Sequence, residues 1–181
     1  MQQFNNDNNL PTELKSIEGF NGKARYILGL PGKKNLVYMA INPSTANQFN
    51  LDATTTFASR YALKQGYDGW YMVNIYPQRA TLPQNIHQRI NKAYHSKNCE
   101  HLKDIFNNKQ NHFVACWGNL IDTRPYFKKC LLELSVQLNF NNQAWFQLGE
   151  LTALSHPRHP SRLAYSIPLL PFDMERYLRE G

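Results

Sequence analysis

Four short apolar runs limit what this chain can fold into: NLVYMAI (35–41), GWYMVNIY (69–76), NHFVACWGN (111–119) and NQAWFQLG (142–149). Runs that are apolar nearly throughout suit strands covered on both faces. Helical stretches separate them. TTTFASRYALKQG (54–66) carries Phe57 and Tyr61 and stops at Gly66. NIHQRINKAYHSKNCEHLKDIFNN (85–108) sets Ile86, Ile90, Ala93, Tyr94, Leu102, Ile105 and Phe106 largely on one face. PYFKKCLLELSVQL (125–138) opens with Pro125 in a first-turn position. The alternation predicts one three-layer α/β/α domain over residues 13–181, with a mainly parallel central sheet. An N-terminal strand is expected to join it as a hairpin, because ARYILGLPGKKNLVYMAI turns at Pro31-Gly32. Residues 1–12, rich in Asn and Gln, are expected to be mobile.

Composition narrows the function classes. At 181 residues the chain can bury a core without staples. No apolar run approaches the roughly 18 residues that span a bilayer, and the first residues do not read as a signal peptide. Cys99, Cys116 and Cys130 are odd in number and lack paired spacing, which reads as reduced thiols in a cytoplasmic protein. A net charge of +7 favours anionic partners, nucleic acid or nucleotide first. No P-loop, Rossmann fingerprint, nucleophile elbow or HExxH motif occurs. No cofactor, metal or membrane partner is expected, and the oligomeric state is left open.

In open α/β sheets ligands bind at the carboxyl ends of the strands. Polar clusters stand at four such ends: Asn42-Pro43-Ser44, Asn74, Trp117-Gly118-Asn119, and SHPRHPSRL (155–163). Asn74 can offer a donor and an acceptor together, as reading a base edge requires, or it can bond neighbouring backbone. Trp117 can stack on a base or pack in the core. Arg79 can hold a phosphate or stand in solvent. Asp52 is a candidate carboxylate and equally a helix cap. His156 and His159 would need further ligands to hold zinc, and the proline after each argues against a shared helix face, so metal is the weakest reading of that loop.

The order of clusters resembles a bacterial and phage family of unknown function defined by a strand ending in NPSTA. The likeness runs from about residue 24 to 170, through DATTTFASRYALKQGYDGWYMVNIYPQRAT, CWGN and LGELTALSHPRHPSRL. More distantly it is similar to the uracil-DNA glycosylase superfamily. AINPS matches that superfamily's water-activating motif, YMVN its base-reading asparagine, VACWGN a further strand end, and HPSRL its final HPSPLS loop. The resemblance implies a uracil-DNA-glycosylase-like fold and an N-glycosidase. In it Asn42 holds the attacking water, Asn74 reads the base, and His159 stabilises charge on the departing base. Ser161 positions backbone phosphate, Arg158 and Arg162 neutralise phosphates, and His156 only shapes the approach. Apart from the resemblance, Ser44 and Arg79 are further candidates for binding phosphate. An asparagine supplies no general base, so Asp52 is the carboxylate expected to assist. Two departures stand out: SRL in place of SPLS, and Asp52-Ala53-Thr54 where the first family has Asp-Pro-Thr. The alternatives carried forward are a non-catalytic nucleic-acid or nucleotide-binding module, and an unrelated hydrolase using the same crevice.

Overall fold

The computed structural model describes residues 14–44, 46–47 and 49–180. The expectation for residues 1–12 lies outside them, as does Thr45. Seven strands form one sheet: β1 (Lys15–Gly19), β2 (Ala24–Leu30), β3 (Asn35–Ala40), β4 (Gly69–Asn74), β5 (His112–Ala115), β6 (Trp145–Leu148) and β7 (Leu169–Pro171). Four helices accompany it: α1 (Ala53–Lys64), α2 (Lys92–Asn107), α3 (Pro125–Gln137) and α4 (Met174–Glu180).

The strand order is β1-β2-β4-β3-β5-β6-β7. All four apolar runs are strands, and β3 and β4 are buried at every position. They pair parallel across β4-β3-β5-β6, which requires a crossover connection each time. The sheet is nevertheless mixed rather than mainly parallel, because β1, β2 and β7 add antiparallel pairings at the two edges.

Alternation along β3 splits the core in two. Val37, Met39 and Ile41 face a cluster built with α2, α3 and α4. Leu36, Tyr38 and Ala40 face a smaller one built with α1, through Phe57, Ala58, Tyr61 and Ala62. Helices therefore cover both faces.

The hairpin expected across Pro31-Gly32 does not form. β4 lies between β2 and β3, and β2 pairs with β4. Both sides of β3 are taken by parallel partners, so the 31–34 segment passes over the start of β4 instead. Lys34 accepts from the amides of Asp68 and Gly69 at 3.2 and 3.3 Å, and donates its own amide to Asp68 Oδ1 at 2.6 Å. Gly69 permits the crossing: a Cβ there would stand 2.3 Å from the Gly32 nitrogen. The hairpin that does exist joins β1 to β2, through Phe20, Asn21 and Gly22, all with positive φ.

The second helix also starts later than its periodicity predicts. Asn91 caps α2, its side chain accepting from Ala93 N at 3.1 Å and Tyr94 N at 3.4 Å. The preceding residues are held otherwise, with the Asn91 amide donating to Tyr76 Oη at 3.0 Å and Ile86 buried off the helix. Among the described residues no helix is long and apolar enough to cross a membrane.

Candidate functional site

The connections after β3 and β5 leave in opposite directions, since β3 leads to β4 on one side of this pair and β5 leads to β6 on the other. That is the switch point where α/β sheets open a crevice. The expected clusters meet there on the α1 face. β4 alternates between faces, with Trp70 and Met72 in the α1 cluster, so Asn74 shares their side. Asn74 is 1% exposed, and among the described residues neither Nδ2 nor Oδ1 has a partner. A buried polar atom left unpaired costs about 1–3 kcal/mol, so such an amide is a costly residue to keep.

The loop after β3 is tied down at several points. Asn42 spends its amide nitrogen on the carbonyls of Pro43 (3.1 Å) and Ala80 (3.0 Å). Ser44 Oγ donates to Asp52 Oδ2. Asp52 is also the α1 N-cap: its Oδ1 accepts from Thr55 N at 2.9 Å, while its own amide donates to Thr55 Oγ1 at 3.0 Å. Burial alone would raise the Asp52 pKa, but the bonds from Ser44 and Thr55 and the nearby Arg25 charge outweigh it and hold it below 3.8. The carboxylate is a cap and an ionised group at neutral pH together.

His159 arrives from the loop after β6. Its Nδ1 accepts from the Ser161 amide at 3.2 Å and lies 2.9 Å from Ser161 Oγ. A neutral ring whose Nδ1 accepts carries its proton on Nε2, leaving that N–H to donate. Burial pushes the His159 pKa down, and Asp52 pulls the other way. Gly118, at φ +60, lets this loop close on the end of β5; a Cβ there would meet His159 Cβ at 3.4 Å.

The two His-Pro pairs divide the labour. His156 is buried, with Nε2 2.7 Å from Asp122 Oδ2 and Nδ1 2.8 Å from Tyr177 Oη. Tyr177 in turn accepts from Trp117 Nε1 at 3.0 Å. Trp117, Tyr177, His156 and Asp122 thus form one hydrogen-bonded chain. Gly118 N donates to Pro157 O at 2.9 Å. The first pair anchors the loop, and the second presents its histidine. This anchor lines a hollow of about 510 Å³ under α4. Its charges pair among themselves, Lys128 with Asp122 and Arg176 with Glu180.

The other expected residues differ in where they stand. Trp117 is fully buried on the α2 and α3 face, edge-on to Phe172, so it offers no face to a ligand. Arg158 is exposed and donates to Glu150 O at 2.8 Å. Arg162 is exposed with a left-handed backbone, and Ser161 is exposed beside His159. Arg79 pairs with Glu18 at 2.7 Å and donates to Ala46 O at 3.1 Å. Among the described residues no three His, Cys, Asp or Glu side chains gather as a metal site would need.

One member of the site was not read from the sequence. Arg25, 1% exposed, donates to Ala46 O, the same carbonyl that Arg79 uses. Its signal was hidden because it sits inside an apolar strand, ARYILGL.

These features define an α/β domain whose strand-end loops bring Ser44, Asp52, Arg25 and His159 near one another, with the buried, unpaired Asn74 amide at the end of the neighbouring strand. The chain belongs to DUF1643, a family of proteins of unknown function, which matches residues 25–161. No curated protein and no solved structure matches it.

Proposed function

We propose that the protein is a nucleobase-recognising N-glycosidase acting on DNA or a modified nucleotide. The observation that carries this reading is the Asn74 amide, buried with donor and acceptor both unpaired at a strand end. A base edge offers the complementary acceptor and donor, and enzymes that act on a base read its edge after extruding it from the stack. The likeness of AINPS, YMVN and HPSRL to uracil-DNA glycosylase motifs supports it. Asn74 reads the base. As the bond from the sugar carbon to the base nitrogen breaks, its electron pair leaves with the base, and the His159 Nε2–H stabilises that charge. The ionised Asp52 faces the sugar cation. Water held at Asn42 Oδ1 adds to the sugar carbon, and its proton passes to solvent.

One observation favours the binding-only alternative. Asp52 is held below the usual carboxylate range, which makes it a weak general base.

The test is release of free base, followed by mass spectrometry, from single- and double-stranded oligonucleotides carrying uracil, mismatched and modified bases, and from nucleotides. Asn74→Ala is expected to abolish recognition. His159→Ala should slow release about 10²–10³-fold, the usual worth of one such donor. Binding without release, lost in Asn74→Ala, establishes the module instead. If base is neither released nor bound and Asn74→Ala changes nothing, the reading fails.

A further inference from the structure

Arg25 is the least expected group in the molecule. A guanidinium that is 1% exposed needs paired charge, because burial of an uncompensated ion is costly. Among the described residues no carboxylate lies within ion-pair distance of it, and its Nε has no partner. Its hydrogen bond goes to a neutral carbonyl, Ala46 O, which Arg79 also engages. Two guanidiniums thus converge on one backbone oxygen, and Arg79 already has Glu18. Asp52 and Glu18 act on Arg25 only from beyond ion-pair distance, so its charge is compensated without a direct ion pair and its Nε–H is left to donate.

The backbone aims Arg25 at the site. Between the pairs Ile17↔Ile27 and Glu18↔Arg25, β1 advances one residue and β2 advances two. Tyr26 is the extra residue of a β-bulge. It packs with Ile27 and Ala24 on the α2 face, so Arg25 turns to the α1 face, where the Asn42–Asp52 loop lies. Bulges beside sites re-aim side chains in this way. β2 also runs antiparallel to β4, so its first residues lie at the carboxyl end of β4, where Asn74 stands.

We propose that Arg25, with Arg79, binds a phosphate group of the ligand, so that the crevice takes nucleotides or nucleic acid in preference to nucleosides. This rests on the base-recognition reading for the rest of the ligand, but not for the phosphate itself. A phosphate oxygen replaces Ala46 O as the acceptor. Arginine suits this task because its planar fork meets two oxygens at once.

The test uses ligands without a base: inorganic phosphate and ribose 5-phosphate. In the wild-type protein, titration of either is expected to shift the Arg25 Nε–H signal in nitrogen-edited NMR saturably, as that unpaired group gains an acceptor. Both ligands should raise the melting temperature, and Arg25→Met should remove the rise, whereas Lys128→Met, under α4, should keep it. A nucleoside monophosphate should bind at least about tenfold tighter than its nucleoside, as expected for a hydrogen bond to a charged group, and Arg25→Met should erase the difference. An unmoved Nε–H signal, or a melting rise equal in Arg25→Met, overturns the proposal. Should Arg25→Met not fold, the wild-type NMR titration still decides. If base recognition fails instead, the phosphate responses persist while Asn74→Ala leaves every ligand unaffected.

Discussion

Asn74 and His159 show two ways a residue can be poised. Asn74 keeps both polar atoms unpaired in a dry place, whereas His159 has one ring nitrogen engaged so that the other is left to donate. The histidine also has a pH signature. Burial, against the pull of Asp52, sets its folded pKa below the ordinary 6.5. In the window between the folded value and 6.5 the unfolded chain binds the proton more readily, so stability rises with pH there. The ring's contribution is fully present above pH 6.5 and lost as pH falls through the folded pKa. Any reaction or binding that needs the neutral ring should therefore show an acid limb centred below pH 6.5, absent in His159→Ala; a limb centred above 6.5 contradicts the burial argument. At this scale Asn42 and Asn74 were legible as strand-end residues because they interrupt apolar runs, and His159 because its loop repeats a His-Pro pair after the fourth run. Arg25 was not, since a single charged residue in a strand gives no sign of which face it takes, and a bulge one residue later decides it.

Among the elements, α1 binds structure to chemistry most closely. Its cap, Asp52, uses Oδ1 on Thr55 and Oδ2 on Ser44. Asparagine caps helices about as well as aspartate, while alanine loses about 1 kcal/mol. Asp52→Asn should therefore melt near the wild type yet lose whatever depends on the negative charge, while Asp52→Ala loses both. Thermal melts beside the base-release assay separate the two; equal activity in wild type and Asp52→Asn would leave Asp52 as a cap alone. α1 was legible from Phe57, Tyr61 and the stop at Gly66, and α3 from Pro125 at its start. The start of α2 was not, because Ile86 and Ile90 keep the helical spacing while Tyr76 holds the Asn91 backbone outside the helix. The hairpin across Pro31-Gly32 misled for a related reason: a turn signal says that the chain reverses, and not which strand it meets next.

For the whole molecule, the alternation of apolar runs and helices was enough for the α/β class and for helices on both faces, but the mixed sheet depends on the short edge strands β1 and β7 and on β2 pairing with β4 rather than β3. β7 has three residues, none of them buried. The sheet joins two cores, and its cysteines sample both: Cys116 lies with α1, and Cys99 and Cys130 with α2 and α3. Burial raises all three thiols, Cys99 to about 11 and Cys130 to about 12, so none attacks reagents readily while folded. If the sheet welds both faces into one cooperative unit, an alkylating reagent should modify all three at a single rate set by global opening. Mass spectrometry of time points would show it. Earlier labelling of Cys99 and Cys130 than of Cys116 would mean that the faces open separately.

The bulge at Tyr26 bears on how chains of this kind are told apart. Every strand-end motif lies downstream of it, between Asn42 and Ser161. A descendant could lose or gain a single residue at position 26, keep all those motifs letter for letter, and swing its buried cation to the opposite side of the sheet. Two sequences that look like siblings by their motifs would then differ in what their crevices attract. The distinction would be written in an insertion of one residue rather than in any signature.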